Sequence, residues 1–210
     1  MDLRILYVVN WISILILAYY VLRTYNATIL SRKLYCWFLI MLMCWSFFDF
    51  MFAFSFSIEM AHLFYALAML SIGLMVGFFY LSGYVLVERC TSVDYFIASL
   101  PTIFNFLRFP FQQVELINGL YVLEYNILDY VWILLCVVVT IKMLYVLVDL
   151  RRRVSNLEIK RKISKLIFTM ASLCITAALA TALLNFLHLP DITAGLCGII
   201  AFTSYPLFEK

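Results

Sequence analysis

Long apolar runs separated by short polar clusters organise this sequence. They cover approximately residues 5–22, 34–57, 62–87, 93–107, 128–150, 166–187 and 191–207. Each is near the length of roughly 20 residues that a helix needs to cross a bilayer. None alternates apolar and polar positions with period two, so the pattern predicts helices rather than barrel strands. The fourth run is short, and the seventh follows Pro190 and contains Gly195 and Gly198. The first, in MDLRILYVVNWISILILAYY, is as long as a full span and has no small-residue cleavage site after it, so it reads as a retained helix rather than a signal peptide. One segment departs from the helical pattern. In FQQVELINGLYVLEYN, residues 111–126, two short apolar segments flank Asn118-Gly119, the strongest short-range hairpin signal. The expected fold is all-α: an integral membrane bundle of seven transmembrane helices forming one domain over residues 1–210, with a short β-hairpin between helices 4 and 5.

Composition agrees with this pattern. The 210 residues are 66% hydrophobic and 13% charged, with six Gly and four Pro, and mean hydropathy is +1.03. Soluble domains carry about 25% charged residues. The net charge of +3 matters less than where the Lys and Arg fall. With the N-terminus outside, the cytoplasmic side receives Arg23, Arg32, Lys33, Arg89, Lys210 and the run RRRVSNLEIKRKISK, which holds Arg151, Arg152, Arg153, Lys160, Arg161, Lys162 and Lys165. The other side receives Arg4 and Arg108. Lys and Arg concentrate in cytoplasmic loops, so the expected orientation is N-out and C-in, with the hairpin outside. The sequon Asn26-Ala27-Thr28 then falls on the cytoplasmic side and is a pattern match alone. Asp149 lies three and four residues before Arg152 and Arg153, which fits a helix continuing past the membrane surface. A solvated loop touching anionic headgroups is the alternative.

Ionisable and polar residues inside spans are costly there and become candidate site residues. Asp49 sits one helical turn from Trp45, and Glu59 lies three residues before His62 at the junction of spans two and three. With Asn105, Asp129, Asn185 and His188 they gather near the outer leaflet. A polar cavity under the hairpin is one explanation, and separate interhelical hydrogen bonds are the other. Asp49, if it faces the bundle interior, is either a neutral hydrogen-bonding group or the polar floor of a ligand cavity. No HExxH, GxSxG or phosphate-cradling glycine loop is present, so an enzyme is not expected. The six Cys show no CxxC spacing, and two His make a poor case for haem or metal, so neither metal nor cofactor is expected.

The second half, from Asn118 onward, resembles the N-terminal seven-transmembrane region of membrane histidine kinases. The likeness rests on Gly119 with Tyr121 before span five, Arg151 to Leu166 before span six, Leu187 to Asp191 before span seven, and Tyr205 to Phe208 at the end. In the first half it rests on the Trp-bearing span two and on Glu59-Met60-Ala61 at the start of span three. The resemblance implies a sensory input module of a prokaryotic plasma membrane, responding to an extracytoplasmic or lipidic ligand and signalling to a cytoplasmic protein. No kinase follows Phe208, so the family's catalytic activity does not transfer, and a free-standing module and a fragment of a longer kinase both remain open. The expected partners are the lipid bilayer, a cytoplasmic signalling protein and further copies of the chain in a homo-oligomer; nucleic acid is not among them. Two alternatives stand beside this reading: a small transporter or channel with Asp49, Glu59 and Lys142 along its path, and a structural subunit of a membrane complex.

Overall fold

The computed structural model describes residues 7–24, 30–87, 90–117, 120–124, 126–186 and 192–201. Seven helices occur among them: α1 (Val8–Thr24), α2 (Leu30–Ala53), α3 (Ile58–Val87), α4 (Ser92–Arg108), α5 (Ile127–Arg153), α6 (Leu157–Phe186) and α7 (Thr193–Ala201). Four helical stretches are long and apolar enough to cross a membrane by length and composition: Leu30–Ala53, Ile58–Val85, Ile127–Arg153 and Leu157–Ala180. Val8–Arg23 is a shorter apolar helix. The chain is therefore a helical membrane protein. The expected seventh span runs beyond α7 into residues 202–207, which lie outside the described residues.

Local sequence explains where helices begin. Thr91 caps α4, its hydroxyl accepting from the Asp94 N–H at 3.4 Å while the Asp94 carboxylate accepts from the Thr91 N–H at 3.0 Å. Asn126 and Asp129 make the same reciprocal box at the start of α5. Such boxes satisfy backbone donors that the first helical turn leaves without partners. A short turn, residues 154–156, separates α5 from α6, and the Asn156 side chain accepts from the Glu158 and Ile159 N–H groups at 2.9 and 3.2 Å. Helix α5 thus ends at Arg153, and the basic residues from Lys160 onward belong to α6.

Successive helices run antiparallel. Trp11 at the start of α1 meets Phe50 near the end of α2, with ring centroids 5.3 Å apart. Tyr80 on α3 reaches Asp94 in the first turn of α4, and Arg151 at the end of α5 reaches Ser164 on α6 at 2.6 Å. The bundle therefore has two ends. One carries β1 (Gln113–Ile117) and β2 (Leu120–Glu124), which pair antiparallel from Gln113↔Glu124 to Ile117↔Leu120. The other carries the basic α5–α6 turn. Asn118 and Gly119 lie outside the described residues, but the register leaves only these two to connect the strands. Val114 turns inward and packs with Phe52, Ala61 and Tyr65, while Leu116 is exposed. The strand pair is thereby fixed over the ends of α2 and α3.

The main core draws on all seven helices, and Tyr35, Phe38, Leu42, Phe79, Met143, Leu147 and Leu166 of α2, α3, α5 and α6 are joined in it by Leu17 of α1, Ala98 of α4 and Cys197 of α7. Val131, Leu134, Val138, Ile141 and Tyr145 form an exposed stripe along α5. Their alternating spacing of three and four places them on one helical face, as expected of a surface turned to lipid.

Candidate functional site

The strand end holds two separate polar knots. The first joins α4 to α5. Arg108, in the last turn of α4, is 1% exposed and forms an ion pair with Asp129, which is 0% exposed. The Arg108 Nε also donates to Asn105 Oδ1 at 2.9 Å, and its guanidinium carbon lies 4.2 Å from the centroid of the Trp132 ring. Trp132 in turn donates through Nε1 to the Pro101 carbonyl at 2.9 Å. The second Asp129 oxygen accepts from the Asn126 N–H at 2.9 Å, and the Asn126 amide donates to the Phe111 carbonyl at 2.9 Å. A single carboxylate thus serves both as helix cap and as counter-ion.

Two ions withdrawn from water lose several kcal/mol of solvation each, and good geometry is needed to recover it. Here the carboxylate is well provided, and the guanidinium is not. Arg108 Nη2 is buried without a hydrogen-bond partner, as are both polar atoms of Gln112. Gln112 follows a 3₁₀ turn, Phe109–Phe111, and is 6% exposed. A buried donor or acceptor left unpaired costs about 1–3 kcal/mol, so both Arg108 Nη2 and the Gln112 amide are costly where they stand.

The second knot joins α1, α2 and α7. Asn10 Nδ2 donates to Asp49 Oδ2 at 2.9 Å and to the Ser46 carbonyl at 3.1 Å. The Ser46 hydroxyl lies 3.3 Å from the Ser13 hydroxyl and donates to the Ala194 carbonyl at 3.2 Å. Glycine makes this crossing possible. A Cβ at Gly198 would lie 1.7 Å from Ser13 Oγ, and one at Gly195 would lie 2.5 Å from Asn10 Oδ1. Asn10 Oδ1 has no hydrogen-bond donor and packs on the Gly195 backbone, a close approach typical of small-residue helix crossings in membranes. This knot binds helices to one another and leaves no room for a ligand at Gly195.

At the other end, Tyr80 donates to the buried Asp94 at 3.1 Å. The Lys142 ammonium lies 5.7 and 5.8 Å from the Tyr80 and Tyr84 ring centroids, so Lys142 is held by aromatic faces. In the basic run, Arg153 pairs with Asp149 at 2.5 Å, while Arg151, Arg152, Lys160 and Arg161 are exposed or half-buried, with Leu157 and Ile159 exposed among them. The side chain of Lys162 lies outside the described residues, and Lys165 is exposed.

The structure therefore divides the residues singled out by sequence. Asn105 and Asp129 meet in the first knot. Asp49 belongs to the second, half-buried against Asn10, one turn beyond Trp45, which is buried in the main core. Glu59 is exposed at the start of α3 and does not point into the bundle, because this turn opens onto the surface beyond α2; His62 is half-buried. His188 and the side chain of Asn185 lie outside the described residues. Arg108, expected as a loop charge on the outer side, is instead a core residue, since α4 runs through it before turning. Asn10, Ser46, Gln112 and Trp132 were not anticipated either. Only Asn126-x-x-Asp129 carried a local signal, as a capping pattern. No family model matches this chain, and no curated protein matches it.

Proposed function

We propose that this chain is a non-enzymatic sensory input module of a plasma membrane. In this reading it is a seven-span bundle, N-out and C-in, with the strand pair and the Arg108 knot on the extracytoplasmic side. A ligand or membrane change acting at that knot shifts α5, and the basic α5–α6 turn passes the shift to a cytoplasmic signalling protein. One observation carries this: α5 is a single helix of 27 residues that begins in the ion-paired knot and ends in Arg151, Arg152 and Arg153. At about 1.5 Å per residue it spans about 40 Å, a stiff element joining the two ends. The likeness of Arg151 to Leu166 to sensor-kinase input regions points the same way.

Coupling of this kind requires the two ends to share one equilibrium. Hydrogen exchange on the protein in nanodiscs tests it. Asp129→Asn keeps an acceptor for the Asn126 N–H but removes the countercharge of Arg108. Exchange over residues 151–165 is expected to speed up several-fold, with α2 unchanged. Unchanged exchange in the basic run would overturn the reading. So would solute flux in proteoliposomes abolished by Asp49→Asn, which would favour a transporter.

A further inference from the structure

The apolar runs of α5 and α6 end at one level. Leu150 is followed by Arg151, and Lys165 is followed by Leu166. There the two helices touch, with Arg151 Nε donating to Ser164 Oγ at 2.6 Å. The Ser164 hydroxyl spends its own proton on the Lys160 carbonyl at 2.8 Å, so it meets Arg151 as an acceptor. The guanidinium is thus fixed by one edge and remains exposed. Among the described residues no acceptor meets its two Nη groups.

The surface around Ser164 follows from spacing, because α6 is one continuous helix from Leu157 to Phe186. Arg161 lies three residues before Ser164 and Phe168 four after it, while Lys165 lies four after Arg161, so these side chains are surface neighbours. Arg161 and Lys165 are exposed, and among the described residues neither pairs with a carboxylate; Asp149 is occupied by Arg153. Phe168, Ile175 and Leu179 are exposed further along the helix. With 3.6 residues per turn, Arg161, Lys165, Phe168, Ile175 and Leu179 fall within an arc of about 80°. One face of α6 therefore changes from lipid-facing apolar side chains to unpaired cations at the level where both apolar runs stop.

We propose that this corner binds the phosphate of an anionic phospholipid. The planar Nη pair of Arg151 donates to two phosphate oxygens, and Arg161 and Lys165 neutralise the remaining headgroup charge. The acyl chains lie along Phe168, Ile175 and Leu179. Ser164 is a positioning residue, since it orients the guanidinium without touching the lipid. Basic pockets between helices near the membrane surface suit anionic headgroups. A soluble phosphate or an acidic peptide would meet the same cations but gain nothing from the apolar face beside them. The site lies at the opposite end of the bundle from the Arg108 knot and requires nothing of the sensory reading.

The test is a lipid titration of the delipidated protein in nonionic detergent, read by native mass spectrometry. Phosphatidylglycerol is compared with phosphatidylcholine carrying the same acyl chains. One phosphatidylglycerol is expected to bind with an apparent Kd roughly tenfold or more below that of phosphatidylcholine. Arg151→Gln, a change at an exposed position that leaves the core intact, is expected to weaken phosphatidylglycerol roughly tenfold. Arg152→Gln removes the same charge from a position about 100° further round α5 and should leave the Kd within about twofold. Ser164→Ala keeps every charge and is expected to weaken phosphatidylglycerol about threefold, with phosphatidylcholine unchanged. Equal affinity for the two lipids, or equal losses in Arg151→Gln and Arg152→Gln, would overturn the proposal, because charge alone would then be recognised. An unchanged Kd in Ser164→Ala would also overturn it, as would displacement of the lipid by glycerol 3-phosphate or hexaglutamate at equal concentration.

Discussion

Replacing Arg108 by Leu strands the Asp129 carboxylate in the interior, while replacing Asp129 by Leu strands the guanidinium. Each single change is expected to destabilise the protein by about 3–5 kcal/mol, the cost of leaving one buried ion uncompensated. Asp129→Leu carries a further loss of about 1 kcal/mol, because the carboxylate also caps α5 through the Asn126 N–H. Arg108→Leu additionally gives up the hydrogen bond to Asn105 and the stacking on Trp132. In the double variant no ion remains, and apolar side chains replace both partners. Its net loss should fall to about 2 kcal/mol or less, mostly the lost cap. The coupling between the sites should therefore be about 3 kcal/mol or more, far above the roughly 0.5 kcal/mol within which independent sites add. Reversible unfolding in bicelles across the four variants measures it, with Trp132 fluorescence as a local probe. Additive single effects would show that Arg108 and Asp129 are not a buried pair.

Three further outcomes follow from the packing. Gly198→Ala places a Cβ 1.7 Å from Ser13 Oγ and 3.0 Å from Ser13 Cβ, so thermal unfolding should show a loss of about 1–3 kcal/mol, the usual cost of overpacking. Ser13→Ala should recover only part of it, and an unchanged melting temperature would contradict the α1–α7 crossing. Val114→Asp breaks the apolar seat shared with Phe52 and Tyr65 and should raise protease cleavage within residues 113–124 while leaving the helical spectrum intact. A C-terminal reporter fusion should be active in the cytoplasm and an N-terminal one outside, as the Lys and Arg distribution requires; the opposite pattern would overturn the proposed topology.

The helical character of the chain was legible in the sequence because a bilayer imposes a local demand. Every backbone group must be satisfied within its own segment, so an apolar run of sufficient length is nearly enough to specify a helix. The two paired strand segments were legible as short apolar runs on either side of a turn signal, although Asn118 and Gly119 themselves lie outside the described residues. The first knot was not legible. Arg108 looks like a loop charge beside Phe109-Pro110-Phe111 until α4 and α5 are seen to converge, because nothing at position 108 announces a carboxylate 21 residues later. Asp49 stood out as an intramembrane carboxylate, yet its partner Asn10 lies 39 residues away on another helix. The division of polar residues into two knots likewise depends on which helices touch. In a membrane that choice is made by close packing at residues such as Gly195 and Gly198 and by hydrogen bonds between distant side chains, with little hydrophobic gain to distinguish one neighbour from another. The sequence by itself therefore determined the elements and their membrane character, and only the tertiary structure decided which polar groups share a site.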